Sequence, residues 1–166
     1  DPMASAIAIT DDADLAQAIA KEVEAQTAVL ERKEIIETSL KDFGAIILVD
    51  DMNEAVEIAN GIAPEHMEIS TAEPFSLLPK VKNAGAVFLG HFSPEPLGDY
   101  MAGPNHVLPT GGTARFFSPL SVDDFVKKSS IISFSKEALL PLSDSIIAFA
   151  NAEGLTAHAN AVRIRK

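Results

Sequence analysis

The run "AIILVDD" (45 to 51) constrains the chain more than any other, because it is apolar on both faces of an extended segment. Strands of that kind are usually buried in a parallel sheet, with helices covering each side. Three further runs have a similar extended character: "SAIAIT" (5 to 10), "MEIS" (67 to 70) and "AGAVFLG" (84 to 90). Helical patterns lie between them. "DDADLAQAIAKEVEAQTAVL" opens with aspartates able to cap a helix whose Leu15, Ile19, Val23 and Leu30 fall near one face. "RKEIIETSLKDF" carries that helix on to about residue 42, and Gly44 ends it. "MNEAVEIANGIA" (52 to 63) is helical again and stops before Pro64, and "PFSLLPKVK" is a short helix. Strand and helix in alternation imply βαβ units, so we expect an α/β fold with parallel strands flanked by helices.

After residue 90 the texture changes. Pro94, Pro96, Pro104, Pro109 and Pro119 crowd together with Gly98, Gly103, Gly111 and Gly112, and regular structure is not expected there. Tyr100, Val107, Leu108, Phe116 and Phe117 argue for an ordered loop, and long ordered loops are more often functional than not. Beyond it, Ser121 and Ser135 are candidate helix caps, and a helix is expected from about 136 to 153. The expected division is an α/β part of a Rossmann-like domain over 1–120 and a small, mostly helical tail over 121–166. No G-x-G-x-x-G occurs, so the phosphate-cradling turn of a nicotinamide site is missing from these residues.

Composition removes several classes of function. The chain has no cysteine, which excludes disulfides and thiolate chemistry and suits a reducing cytoplasm. The net charge is −11, with 17 acidic against 6 basic residues in positions 1 to 83 and 7 of each in positions 84 to 166. An acidic half with no basic stripe argues against nucleic acid as a partner. No apolar run is long enough to span a membrane, and the beginning lacks a secretory pattern.

Four histidines are present, and each has a plain reading beside a chemical one. In "APEHMEI", Glu65 and His66 follow a helix end and precede a strand, at a sheet edge of the kind where α/β proteins place their sites. Histidine exchanges a proton near neutral pH and a neighbouring carboxylate can act on water, yet a surface Glu-His pair needs no role. Adjacent strand residues also point to opposite faces, so joint action requires an irregular backbone. Asp99 and His106 fall in the Gly/Pro stretch, where aspartate is a common turn residue and His106 could tie the loop to its own backbone. Glu153 and His158 stand five apart across Gly154, whereas two ligands on one helical face prefer three or four. His91 directly follows a strand and reads as a loop residue. Neither G-x-S-x-G nor H-E-x-x-H is present.

The stretch "SPEPLGDYMAGPNHVLPTGGTARFFSPLSVDDFVKKSSIISFSKEAL" (93 to 139), with "APEHMEI" before it and "EGLTAH" after it, closely resembles the carboxy-terminal part of histidinol dehydrogenase. The resemblance covers essentially the whole chain. It implies a zinc-dependent, NAD-linked four-electron oxidation of L-histidinol through L-histidinal to L-histidine, in the last steps of histidine biosynthesis. It also implies roles. Glu65 and His66 match the catalytic pair, His66 as the base for the alcohol proton and Glu65 as the group that activates water. Asp99 and His158 match zinc ligands; His66, Asp99, Glu153 and His158 match substrate contacts; His106 is a lesser candidate near the site.

The same resemblance sets limits on these residues. The family's other two zinc ligands, a glutamine and a histidine, stand just upstream of the "DPMASAI" stretch, and its NAD-contacting domain lies further upstream still. The reading is therefore a fragment, inactive alone, of a cytoplasmic homodimer whose exchanged carboxy-terminal tail brings His158 to the zinc of the partner. The competing expectation is a non-catalytic dimerisation or binding module with a degenerate site. A zinc hydrolase is disfavoured, because no closed ligand set is found in one chain.

Overall fold

The structure is a computed structural model that describes residues 1–166. The chain divides into two compact units, Asp1–Phe125 and Val126–Lys166.

The first unit holds two separate parallel strand pairs. In the first, β1 (Ile7–Thr10) pairs with β2 (Ala45–Leu48), Ile7 opposite Ala45 and Thr10 opposite Leu48. Between them run α1 (Ala13–Val29) and α2 (Lys33–Phe43). Asp12 caps α1, its carboxylate accepting from the amides of Asp14 and Leu15 at 2.9 and 3.0 Å. The single helix expected to run to about residue 42 is thus two helices. Leu30 turns extended at φ −79°, ψ 142°, and the chain restarts at Arg32 without Gly or Pro to mark the break.

β2 also departs from its expected burial. It is parallel, but Ile46 and Leu48 are 40% and 56% exposed, so within this chain one side of the pair is uncovered. An open groove runs beside it, lined by Ile7, Ile19, Val23, Leu40 and Ile46.

The second pair positions the site. α3 (Met52–Ile62) is capped by Asp51, whose carboxylate accepts from the amides of Asn53 and Glu54 at 2.6 and 3.0 Å and is held below its ordinary range by those bonds, Glu54 first. The helix ends at Ala63, a buried residue in left-handed conformation at φ 54°, and β3 (His66–Ile69) begins after Pro64 and Glu65. α4 (Pro74–Leu77) and a 3-10 turn (Leu78–Lys80) lead to β4 (Ala86–Leu89), which pairs parallel with β3, His66 opposite Ala86 and Glu68 opposite Phe88.

Alternation then sorts the side chains. Met67 and Ile69, with Val87 and Leu89 beside them, pack on Val56 and Leu77 to form the core. His66, Glu68, Ala86 and Phe88 are left to the other face.

On that other face lies α5 (Glu95–Tyr100). Its amide at Glu95 donates to Oε1 of Glu68 at 2.7 Å, and Gly98 sits against the Phe88 ring, where a Cβ would come within 2.6 Å of Cε1. The stretch expected to lack regular structure therefore contains a helix. Pro94 and Pro96 stand at its start, where proline is tolerated because the first amides have no intrahelical partner. The segment after it is fixed by its own bonds. Asn105 Oδ1 accepts from the Val107 amide at 2.7 Å, the Leu120 amide donates to the Val107 carbonyl at 2.9 Å, and Arg115 donates to the carbonyls of Gly61 and Gly112.

The second unit is helical: α6 (Lys136–Leu139), a 3-10 turn (Leu140–Leu142), α7 (Ser143–Ala152) and α8 (Thr156–Arg163). Ser135 caps α6, its hydroxyl accepting from the Ala138 amide at 3.2 Å. The expected helix over 136 to 153 is interrupted at Pro141, which has no amide to continue the ladder. Ala150 and Ala159 are buried where α7 and α8 pack, and Gly154, at φ 74°, makes the turn between them.

Candidate active site

His66 is the centre of the site. It opens β3 on the face opposite the core, and its ring leans on Phe88 with centroids 6.0 Å apart. Its Nε2 is buried and makes no hydrogen bond. Facing that nitrogen are two carboxylates, Glu95 Oε1 at 3.6 Å and Asp99 Oδ1 at 3.8 Å. They stand one helical turn apart on α5, so both project from the same side of the helix. Asp99 is thus a helical residue and not a turn residue.

A fourth group closes the chain of contacts. Nδ1 of His106 donates to Oδ1 of Asp99 at 2.9 Å. Asn105 ties the loop to its backbone, and His106 bonds Asp99 instead.

The electrostatics follow from this crowding. The hydrogen bond from His106 holds Asp99 below the ordinary carboxylate range, and the same bond raises His106 above the ordinary imidazole value, with the charges of Asp99, Glu65 and Glu95 adding to it. Glu95 is pushed up, first by its hydrogen-bonding contact with Asp99 and then by burial. Of two carboxylates side by side, Asp99 is shifted down and Glu95 up.

Donor atoms of His66, Glu95 and Asp99 all lie within 4.8 Å of one another. Imidazole nitrogen and carboxylate oxygen are the donors zinc accepts, and the unpartnered Nε2 is a free one. The donor set therefore suits a divalent ion chemically. Its spacing is wider than a closed tetrahedral shell, where ligands at ~2.0–2.2 Å stand about 3.3 Å apart.

Of the residues singled out from sequence, Glu65, His66, Asp99 and His106 gather in the first unit. Glu65 immediately precedes β3 and its carbonyl accepts from the Ala86 amide at 2.8 Å. The site lies on the sheet face near the amino end of β3, not at the carboxyl edge that open α/β sheets favour. Glu153 and His158 belong to the second unit, at the end of α7 and the first turn of α8, both exposed. His91 is an exposed residue after β4. Glu95 was missed, although its spacing of four from Asp99 is a helical signal once the flanking prolines are read as a helix start.

The chain sets a buried imidazole nitrogen against two carboxylates, with a second histidine on one of them, and these are side chains able to exchange protons and to ligate a metal. Comparison with known proteins makes the class specific. The family model described as histidinol dehydrogenase matches residues 1–166. Histidinol dehydrogenase of Caldanaerobacter subterraneus subsp. tengcongensis is 62% identical over 165 residues, and that of Clostridium acetobutylicum 57% identical; each alignment takes in 99% of this chain and 38% of the relative. The crystal structure of histidinol dehydrogenase from Elizabethkingia anophelis superimposes with a TM-score of 0.84 at 36% identity, over 96% of this chain and 36% of that one. The chain belongs to the histidinol dehydrogenase family. It spans 38% of the length of the relatives it matches. No helix is long and apolar enough to cross a membrane.

Proposed function

We propose that this chain supplies the proton-transfer groups and part of the metal site of a histidinol dehydrogenase, which oxidises L-histidinol through L-histidinal to L-histidine. The observation that carries the reading is the buried, unpartnered Nε2 of His66 facing Glu95 and Asp99. His66 takes the proton of the alcohol as hydride leaves carbon, and a histidine suits that task near neutral pH. Glu65, adjacent in sequence, removes a proton from the water that adds to the aldehyde. His66, Asp99, Glu153 and His158 contact the substrate.

Asp99 and His158 hold zinc in this reading, and zinc supplies orientation of the substrate's imidazole and amine. NAD is the hydride acceptor, bound mostly by residues other than these. The second unit is a dimerisation tail, so that His158 of one copy serves Asp99 of the other and the dimer is required for a complete site. His106 restrains Asp99 by the hydrogen bond described above.

The test is NADH formation from L-histidinol by a complete dehydrogenase carrying this segment, with His66 intact or changed to Asn. A loss of turnover of roughly 10²–10⁴-fold is expected for removal of the base. Unchanged turnover would favour a binding module with a degenerate site instead.

A further inference from the structure

We propose that Glu68 is a positioning residue: its carboxylate seats α5 on the β3–β4 face and thereby sets where Asp99 stands beside His66. The inference rests on the reading of Asp99 as a zinc ligand, and adds a residue that acts through it. α5 is only six residues long, and a helix so short keeps its place by tertiary contacts more than by its own hydrogen bonds. Two such contacts are present. The Glu95 amide opens the helix without an acceptor on it, and Pro94 before it brings no side chain able to cap. Glu68 Oε1 takes that amide from the strand face at 2.7 Å. A carboxylate accepting from a backbone amide makes one of the stronger hydrogen bonds, and a directional one, so the start of the helix is fixed against the strand.

The second contact comes from the neighbouring strand. Parallel register sets Glu68 beside Phe88, and the Phe88 ring is the surface on which Gly98 lies. One cross-strand pair thus holds both ends of a single turn of α5, Glu68 at Glu95 and Phe88 at Gly98. Asp99 is the next residue. Two positions before Glu68, on the same face of β3, is His66, whose Nε2 is 3.8 Å from Asp99 Oδ1. The strand that presents the imidazole therefore also carries the group that seats the carboxylate. Contact with a ring has no fixed direction and leaves the helix free to pivot; the bond to Glu68 removes that freedom.

The test uses a complete dehydrogenase carrying this segment, unaltered or with Glu68→Ala, Glu68→Leu or Glu68→Gln. Glu68 is exposed, and Met67 and Ile69 on either side of it keep the core, so each variant is expected to fold. Hydrogen exchange over residues 95–102 should be several-fold faster in Glu68→Ala and Glu68→Leu, which lack an acceptor. In Glu68→Gln, whose side-chain oxygen can still take the Glu95 amide, it should stay near the unaltered rate. Zinc release to a chelator should quicken about tenfold in the first two variants, as loss of a group that orients a ligand does, and recover in Glu68→Gln. Unchanged exchange in both non-accepting variants overturns the proposal. So does faster exchange with unaltered zinc release where Asp99→Asn does quicken release, since the contact would then be structural only. If Asp99→Asn releases zinc no faster than the unaltered enzyme, the reading of Asp99 as a ligand fails instead, and the exchange comparison decides whether Glu68 seats α5.

Discussion

Nδ1 of His106 and Oδ1 of Asp99 stand 2.9 Å apart, and each residue shifts the other's titration in the direction of the charged pair. His106 lies above its ordinary value of 6.5, so its contribution to stability is complete below pH 6.5 and fades as pH rises through the raised value. Asp99 lies below its ordinary 3.8, so its contribution is complete above pH 3.8 and is lost as pH falls through the lowered value. In metal-free buffer, the stability difference between the unaltered chain and His106→Gln should be greatest between pH 3.8 and 6.5 and shrink on both sides. Urea unfolding at a series of pH values checks this, and a flat difference would contradict the pairing.

Gly98→Ala should loosen the site from a distance. The new Cβ would stand 2.6 and 2.7 Å from Cε1 and Cζ of Phe88, so ring or helix must move. Overpacking of this kind costs about 1–3 kcal/mol. Because α5 carries Glu95 and Asp99, turnover of a complete enzyme should fall with stability. Phe88→Leu in the same molecule removes the two clashing atoms and should recover part of both losses.

Gly85→Ala offers a contrast. Here the Cβ would meet the carbonyl oxygen of Glu65 at 2.6 Å, and that oxygen accepts from the Ala86 amide. Backbone cannot change rotamer, so no side-chain substitution should rescue it. Hydrogen exchange at the Ala86 amide should quicken in this variant far more than in Gly98→Ala.

The isolated 166-residue chain should form no NADH from L-histidinol with NAD and zinc. The chain spans 38% of the length of the relatives it matches, so it supplies only part of the residues of the whole enzyme. A measurable rate above the enzyme-free control would defeat this expectation.

How far the fold could be read in advance differed from segment to segment. The strands were legible because apolar runs are local, and "HMEI" even sorts His66 and Glu68 from Met67 and Ile69 by simple alternation. α5 was not, because Pro94, Pro96 and Gly98 are read as breakers when each has a particular reason: the prolines start the helix and the glycine admits Phe88. The break at Leu30 has no local marker either, since nothing in "VLERK" forbids a helix. For the site, His66 and Asp99 stand out among the residues and take their roles from a resemblance, whereas Glu95 becomes visible only when the helix beneath it does. The exposure of Ile46 and Leu48 reverses the inference from apolar pattern to burial, which assumes covering layers on both sides.

Glu65, His66, Glu95, Asp99 and His106 all fall within about forty consecutive residues, closed by one parallel strand pair and one helix laid back across it. The entropy of closing a chain segment grows only as the logarithm of its length, and contacts near in sequence form early. Nothing that the cluster of five needs has to arrive from a distant part of the polypeptide. Nascent chain could therefore assemble it as soon as this stretch leaves the ribosome, ahead of any pairing between subunits.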